Sequence, residues 1–210
     1  MTKFYDWRNE IKKEELENIS NIIKENGVVI FPTETVYGMG GNALSEEAIR
    51  KIYSIKERPK EKALNILVKN VSEIEKYAEI TNDLERKIIN NFMPGPITII
   101  LKKKKSNICK LITASNDTIG IRIPDNKIVK NILNMCDVPI AAPSANISGK
   151  PSPVKIEDTI KDFEDKVDAF IDGGICKESI PSTIVKVIDG KIEILRKGVI
   201  SIEDIKNKIM

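Results

Sequence analysis

Apolar side chains at Ile11, Leu16, Ile19, Ile22 and Ile23 recur at the spacing of one helix face, which predicts a helix over residues 8–25. Gly27 stops it, and the run Val-Val-Ile-Phe at 28–31 reads as a buried strand. A second helical stripe follows at Ala48, Ile49, Ile52, Tyr53 and Ile55. Ser45 is its expected N-cap, with Glu46 and Glu47 placed to favour the positive end of the helix dipole. It should end near Arg58, because Pro59 disfavours helical geometry in the residue before it. Further along, strands are expected at 63–68, 96–101, 118–123, 138–142 and 168–171, and helices at 71–77, 82–92, 126–136, 155–165 and 201–209. Residues 183–188 and 191–195 flank Asp189-Gly190, a hairpin signal because both turn positions need positive φ. Irregular alternation of strands and helices with one antiparallel hairpin predicts an α/β fold: a single domain over residues 1–210, built on a mixed sheet with flanking helices. A purely parallel doubly wound sheet is the alternative.

Composition narrows the chemistry. With 210 residues, 41% of them apolar, the chain can bury a sizeable core. Aromatics at 5% argue against base-stacking platforms, and a net charge of +3 is too small to imply nucleic-acid binding by itself. It permits an anionic ligand where basic residues cluster. The chain has no histidine, which removes Ser-His-Asp and Cys-His mechanisms and every His-ligated metal site. Cys109, Cys136 and Cys176 form no CxxC pair and read as reduced thiols of a cytosolic protein, a disulfide being the alternative. No apolar run has the length of a membrane span, and the first residues do not read as a signal peptide. The nucleotide signatures GxxxxGK[ST] and GxGxxG are missing, so any nucleotide must be held in another way.

Five stretches could carry chemistry. Residues 31–43 (Phe-Pro-Thr-Glu-Thr-Val-Tyr-Gly-Met-Gly-Gly-Asn-Ala) read as a strand opening into a Thr- and Gly-rich loop, either a tight turn or a small-molecule site. Lys56 and Arg58 lie near a helix C-terminus, where cations are favoured anyway, or form a clamp on a phosphate chain. At 139–153 a hydrophobic strand runs into prolines, hydroxyls and an amide, presenting Ser144 and Asn146 with little ordering cost. Arg122 sits between Ile121 and Ile123, so it needs either an internal ion pair or a substrate carboxylate. Ser182-Thr183 and Arg196-Lys197-Gly198 bracket the hairpin and could bring hydroxyls and a cation to the same mouth. The run Lys102 to Lys105 reads as a solvated basic segment that could touch tRNA phosphates.

Taken in order, eight segments resemble the YrdC-like family of L-threonylcarbamoyladenylate synthases: 31–43, 56–59, 93–101, 120–124, 142–146, 172–174, 182–185 and 195–198. The resemblance implies a twisted α/β sheet around a large, positively lined cavity, in the short, single-domain form. It implies that L-threonine, bicarbonate and ATP give threonylcarbamoyl-AMP and pyrophosphate. A separate transferase complex then passes the threonylcarbamoyl group to the adenosine beside the anticodon in tRNA. By similarity Thr35, Arg122, Ser144 and Ser182 meet threonine, with Arg122 on its carboxylate. Lys56 and Arg58 meet the ATP phosphates as the catalytic cations, and Thr118, Asn146 and Arg196 lie on the nucleotide side. Lys62 and Val154 align with further ATP contacts, here through backbone groups, and Leu67 replaces a histidine of some long members. The implied cofactor is Mg²⁺ arriving with ATP, with no protein carboxylate identified as its ligand. Competing readings are an RNA-binding module of the same fold without synthase activity, and a carbamoyl-transfer domain of a larger protein.

Overall fold

The computed structural model describes residues 1–209. In chain order the elements are β1 (Lys3–Asp6), α1 (Lys13–Lys24), β2 (Val29–Phe31), β3 (Gly38–Asn42), α2 (Glu46–Ile55), β4 (Asn65–Leu67), α3 (Val71–Tyr77) and β5 (Ala78–Glu79). There follow α4 (Asp83–Phe92), β6 (Ile97–Lys103), a 3-10 turn (Lys110–Thr113), β7 (Thr118–Arg122), α5 (Lys127–Cys136) and β8 (Ile140–Ala141). The last are α6 (Glu157–Phe163), β9 (Ala169–Asp172), β10 (Thr183–Ile188), β11 (Lys191–Arg196) and α7 (Ile202–Ile209).

All eleven strands join one mixed sheet in the order β1-β9-β2-β3-β8-β4-β7-β6-β10-β11, with β5 pairing β6 off this path. The sheet contains parallel pairs (β4 with β7, β6 with β10) and antiparallel ones (β2 with β3, β6 with β7), so the mixed sheet expected from the sequence is what forms. The hairpin turn has φ of 48° at Asp189 and 70° at Gly190, as the Asp-Gly pair requires. Ser45 caps α2 by accepting from the Ala48 N–H, and Asn70, Asn82 and Asn126 cap three other helices in the same way.

Two packed clusters hold the sheet. One joins α2, α4 and α7 residues (Ile49, Ile52, Ile88, Ile89, Ile205) to Ile66, Ile97, Ile99, Leu101, Ile119 and Ile121. The other joins α1 and α5 (Leu16, Ile19, Ile23, Ile128, Ile132) to Val29, Phe31, Ile140, Ile171 and Leu67.

The structure departs from the sequence reading in several places, beginning with strands β1 and β5, which the pattern did not mark. Helix α1 begins at Lys13 rather than at residue 8. Residues Gly38–Asn42, expected as loop, are the buried strand β3. Glycine is required there: a Cβ on Gly40 would run into the Phe31 ring and approach Ile140 Cγ2 at 2.8 Å, so bare backbone lets β3 lie under that ring. Strand β8 keeps only two residues of the expected five. Lys102 and Lys103 belong to β6 and are not free loop: Lys102 Nζ lies 2.9 Å from Glu79, Lys103 donates to Asn116 O at 3.1 Å, and Lys104 to Glu75 O at 2.7 Å. The solvated basic run is therefore largely tied down by local partners.

Candidate active site

Strand alternation builds the floor of the site. Asn65 pairs with Gly120 and Leu67 with Arg122 between β4 and β7; Ile100 pairs with Gly120 and Lys102 with Thr118 between β6 and β7. Paired residues share a face and successive ones alternate, so Asn65, Leu67, Thr98, Ile100, Lys102, Thr118, Gly120 and Arg122 all lie on one side. Ile66, Ile97, Ile99, Leu101, Ile119 and Ile121 take the other side and are buried in the core. Leu67 packs into the cluster that joins α1 and α5, and the pocket opens beside it. The result is a pocket of about 50 Å³. Its floor is Asn65, Leu67, Thr98 and Arg122. Its walls are Thr33, Thr35, Val36, Tyr37 and Gly38 on one side, Ala142, Pro143 and Ser144 on another, and Pro181, Ser182 and Arg196 at the rim.

Two arginines line the pocket, and two further cations, Lys56 and Arg58, lie outside its lining. Arg122 is only 6% exposed. Its Nε donates to Gly95 O at 3.1 Å and its Nη1 to Thr35 Oγ1 at 3.0 Å. Its Nη2 lies 2.7 Å from Glu34 Oε1, a buried ion pair in which the N–H directions miss the oxygen. Arg122 Nη2 and Glu34 Oε2 consequently remain without a hydrogen-bond partner among the described residues. Arg196 donates from Nε and Nη2 to Ser182 O at 3.1 and 2.8 Å and from Nη2 to Ser182 Oγ at 3.0 Å. Burial first, then the charges of Arg122 and Arg58, lower its pKa, so the three guanidiniums share one field.

Lys56 follows the last turn of α2 and is 1% exposed. Its ammonium donates to the carbonyls of Ser144 and Asn146, the latter at 2.5 Å. Burial, with a smaller contribution from Arg58, pushes it down to about 7. Arg58 folds back on its own turn, donating to Lys62 O at 2.9 Å and Ala63 O at 2.7 Å, and burial lowers its pKa. Ser144 Oγ donates to Asn146 Oδ1 at 2.5 Å, while Ser182 Oγ and Thr98 Oγ1 lie 3.0 Å apart.

Of the residues singled out in the sequence, Thr35, Arg122, Ser144, Ser182 and Arg196 meet around this one pocket. Lys56 and Asn146 stand behind Ser144 and fix its loop. The Arg58 side chain borders a neighbouring hollow with Arg50, Tyr53, Ser54, Lys60 and Leu111. Thr118 shares the floor face but lies beyond the pocket lining, as do Lys62 and Val154. The Lys62 carbonyl accepts from Arg58 and Tyr53, and the Val154 carbonyl from the Cys176 N–H. Sequence reasoning missed Glu34, Asn65 and Thr98. The signal for Asn65 and Thr98 was a single polar residue within an apolar strand; Glu34 had no signal beyond its place between two threonines. Among the described residues no group of three or more His, Cys, Asp or Glu could hold a metal ion, and no helix is long and apolar enough to cross a membrane. The three cysteines are unpaired and buried.

The family model Sua5_yciO_yrdC, described as telomere recombination, matches residues 21–198. A Methanocaldococcus jannaschii protein that bears a provisional threonylcarbamoyl-AMP synthase name is 47% identical over 201 residues, 96% of this chain and 94% of its own length. The threonylcarbamoyl-AMP synthase of Pyrococcus abyssi is 35% identical over 209 residues, covering 100% of this chain and 61% of its own length. The crystal structure of P. abyssi Sua5 complexed with L-threonine superposes with a TM-score of 0.95 at 35% identity, over 99% of this chain and 61% of that one. The chain thus spans about three-fifths of the length of these Pyrococcus relatives. By the extent of the family match and by its likeness to these relatives in sequence and fold, the chain belongs to the Sua5/YciO/YrdC family.

Proposed function

We propose that this chain is a threonylcarbamoyl-AMP synthase, a nucleotidyltransferase that joins L-threonine, bicarbonate and ATP and releases pyrophosphate. Its product feeds threonylcarbamoylation of the adenosine beside the anticodon of tRNA through a separate transferase complex. The names of its relatives and the threonine complex of one of them support the reading. The observation that carries it is a buried arginine facing a small pocket lined by hydroxyls.

In this reading Arg122 takes the threonine carboxylate, and Thr35, Ser144 and Ser182 surround the rest of the amino acid. The threonine amine and bicarbonate form a carbamate and water. A carbamate oxygen then attacks the α-phosphorus of ATP, and the bond to pyrophosphate breaks. Both reactants are anions, so the work of the protein is positioning and charge compensation. Arg196, Arg58 and Lys56 supply that compensation, within the large cationic cavity expected of the family. Two of the three N–H donors of Lys56 serve carbonyls, which leaves one for a phosphate oxygen. Asn146, Thr118, Lys62 and Val154 complete the nucleotide side. No side-chain nucleophile is needed: the chain has no histidine, and burial pushes the Cys176 thiol up to about 11. The donor set does not fit a resident metal, since no acidic cluster is present among the described residues. Mg²⁺ enters with ATP, held by phosphates and water, and no step here is routed through it. Residues 1–210 act as one domain, in the cytoplasm.

The test is incubation with ATP, labelled bicarbonate and single amino acids. A labelled adenylate forming with threonine, and far less with serine or valine, is expected. No labelled adenylate with any of them would refute the reading.

A further inference from the structure

We infer that Asn65 holds the carbamate group of the threonine carbamate by donating a hydrogen bond from its side-chain amide. The inference rests on the synthase reading and adds to it a contact for the reacting group.

Asn65 is the polar residue of a strand otherwise made of Ile66 and Leu67, and it lines the pocket. An amide offers two donors and an acceptor, and a half-buried one ordinarily finds partners. Among the described residues the Asn65 side chain makes no hydrogen bond to protein. Its neighbour across β7 is Gly120, where a Cβ would collide with Asn65 Oδ1. A glycine there is what lets the amide lie across the strand toward the pocket floor. The amide is half-buried on the pocket floor with no protein partner, and the glycine opposite leaves it room to lie there, so it is available to a ligand that enters the pocket.

Placement supplies the chemistry. Leu67 pairs with Arg122 and Asn65 pairs with Gly120, so the amide stands one same-face row, ~6.6 Å along the strand, from the guanidinium's row. An anion bound through its α-carboxylate at Arg122 and carrying a second carboxyl on its amine would present that second group to the next row. Thr118 lies on the row beyond, toward the nucleotide side, so the amide stands between the two reactants. A neutral donor suits the task. It fixes the carbamate plane, while a full positive charge would bind the same oxygen more tightly and blunt its attack on phosphorus. The apolar Leu67 and Pro143 nearby limit the water that would protonate the carbamate and release carbon dioxide.

The test uses Asn65→Leu, which keeps volume and removes the amide, and Asn65→Ser, which retains a short donor. Steady-state pyrophosphate release is measured in carbon-dioxide-depleted buffer with bicarbonate, threonine and ATP varied in turn. Threonine binding without bicarbonate is followed by calorimetry. For Asn65→Leu a roughly tenfold rise in the bicarbonate KM is expected, with threonine affinity and ATP KM within about twofold of wild type. Asn65→Ser should fall between. A bicarbonate KM unchanged in a folded Asn65→Leu variant would overturn the inference, as would an equal rise in the ATP KM, which would place the amide on the nucleotide. A wild-type chain that releases no pyrophosphate at all would instead remove the synthase reading, and this inference with it.

Discussion

Arg122 is a full positive charge in a nearly closed place, and Glu34 is the carboxylate that makes it tolerable. An arginine between two isoleucines announces in the sequence that it needs an anion, but not which one. The structure supplies Glu34 and still leaves Nη2 of Arg122 short of a hydrogen bond. The ion pair and the substrate carboxylate are therefore complementary, with Glu34 bracing one side of a guanidinium whose remaining donors serve the pocket. Removing one partner of a buried pair strands the other. Glu34→Gln is expected to lose about 3 kcal/mol of unfolding free energy in urea titration. Pairing Glu34→Leu with Arg122→Met should lose less than the two single changes added together, because neither charge is then left alone. Strict additivity would show that the pair is not coupled.

At the scale of elements, legibility followed side-chain pattern and failed where backbone proximity decided. The stripe through Ala48, Ile49, Ile52 and Tyr53, with Ser45 before it, gave α2 and its cap from sequence alone. Strand β3 was hidden because glycines carry no periodic signal; only the Phe31 ring packed over Gly40 explains them. The end of α2 was legible as a place for cations, but not that Lys56 would be drawn inside to hold the 144–146 loop. That burial has a pH signature. With the folded pKa at about 7, below the ordinary 10.5, the unfolded chain binds the extra proton between those values. Unfolding free energy should therefore rise from about pH 7 to about pH 8.5. The chain has no histidine to add a slope of its own there. Burial raises the three thiols, which oppose the trend only near and above their usual 9.0. Chemical denaturation at the two pH values should show the rise in wild type and its absence in Lys56→Met; a flat wild-type profile would mean that Lys56 stays charged in the fold.

For the whole molecule, the sequence conveyed the class, a mixed sheet with helices on its faces, and the ordered motifs conveyed the family. It could not convey which face of the sheet remains open. That follows from register: pairing Leu67 with Arg122 and Ile100 with Gly120 collects the polar side chains of three strands on one side, and no single strand shows it. Register places Arg122, the end of α2 places Lys56 and Arg58, and the end of β11 places Arg196, with Arg58 opening onto a separate hollow. The central claim is that threonine and ATP meet over this floor. A crystal structure of the chain with L-threonine and a non-hydrolysable ATP analogue tests it most directly. The threonine carboxylate should lie within hydrogen-bonding distance of Arg122, with the triphosphate near Arg196 and Lys56. Threonine bound away from Arg122, or nucleotide phosphates seated on the opposite face of the sheet, would contradict the account.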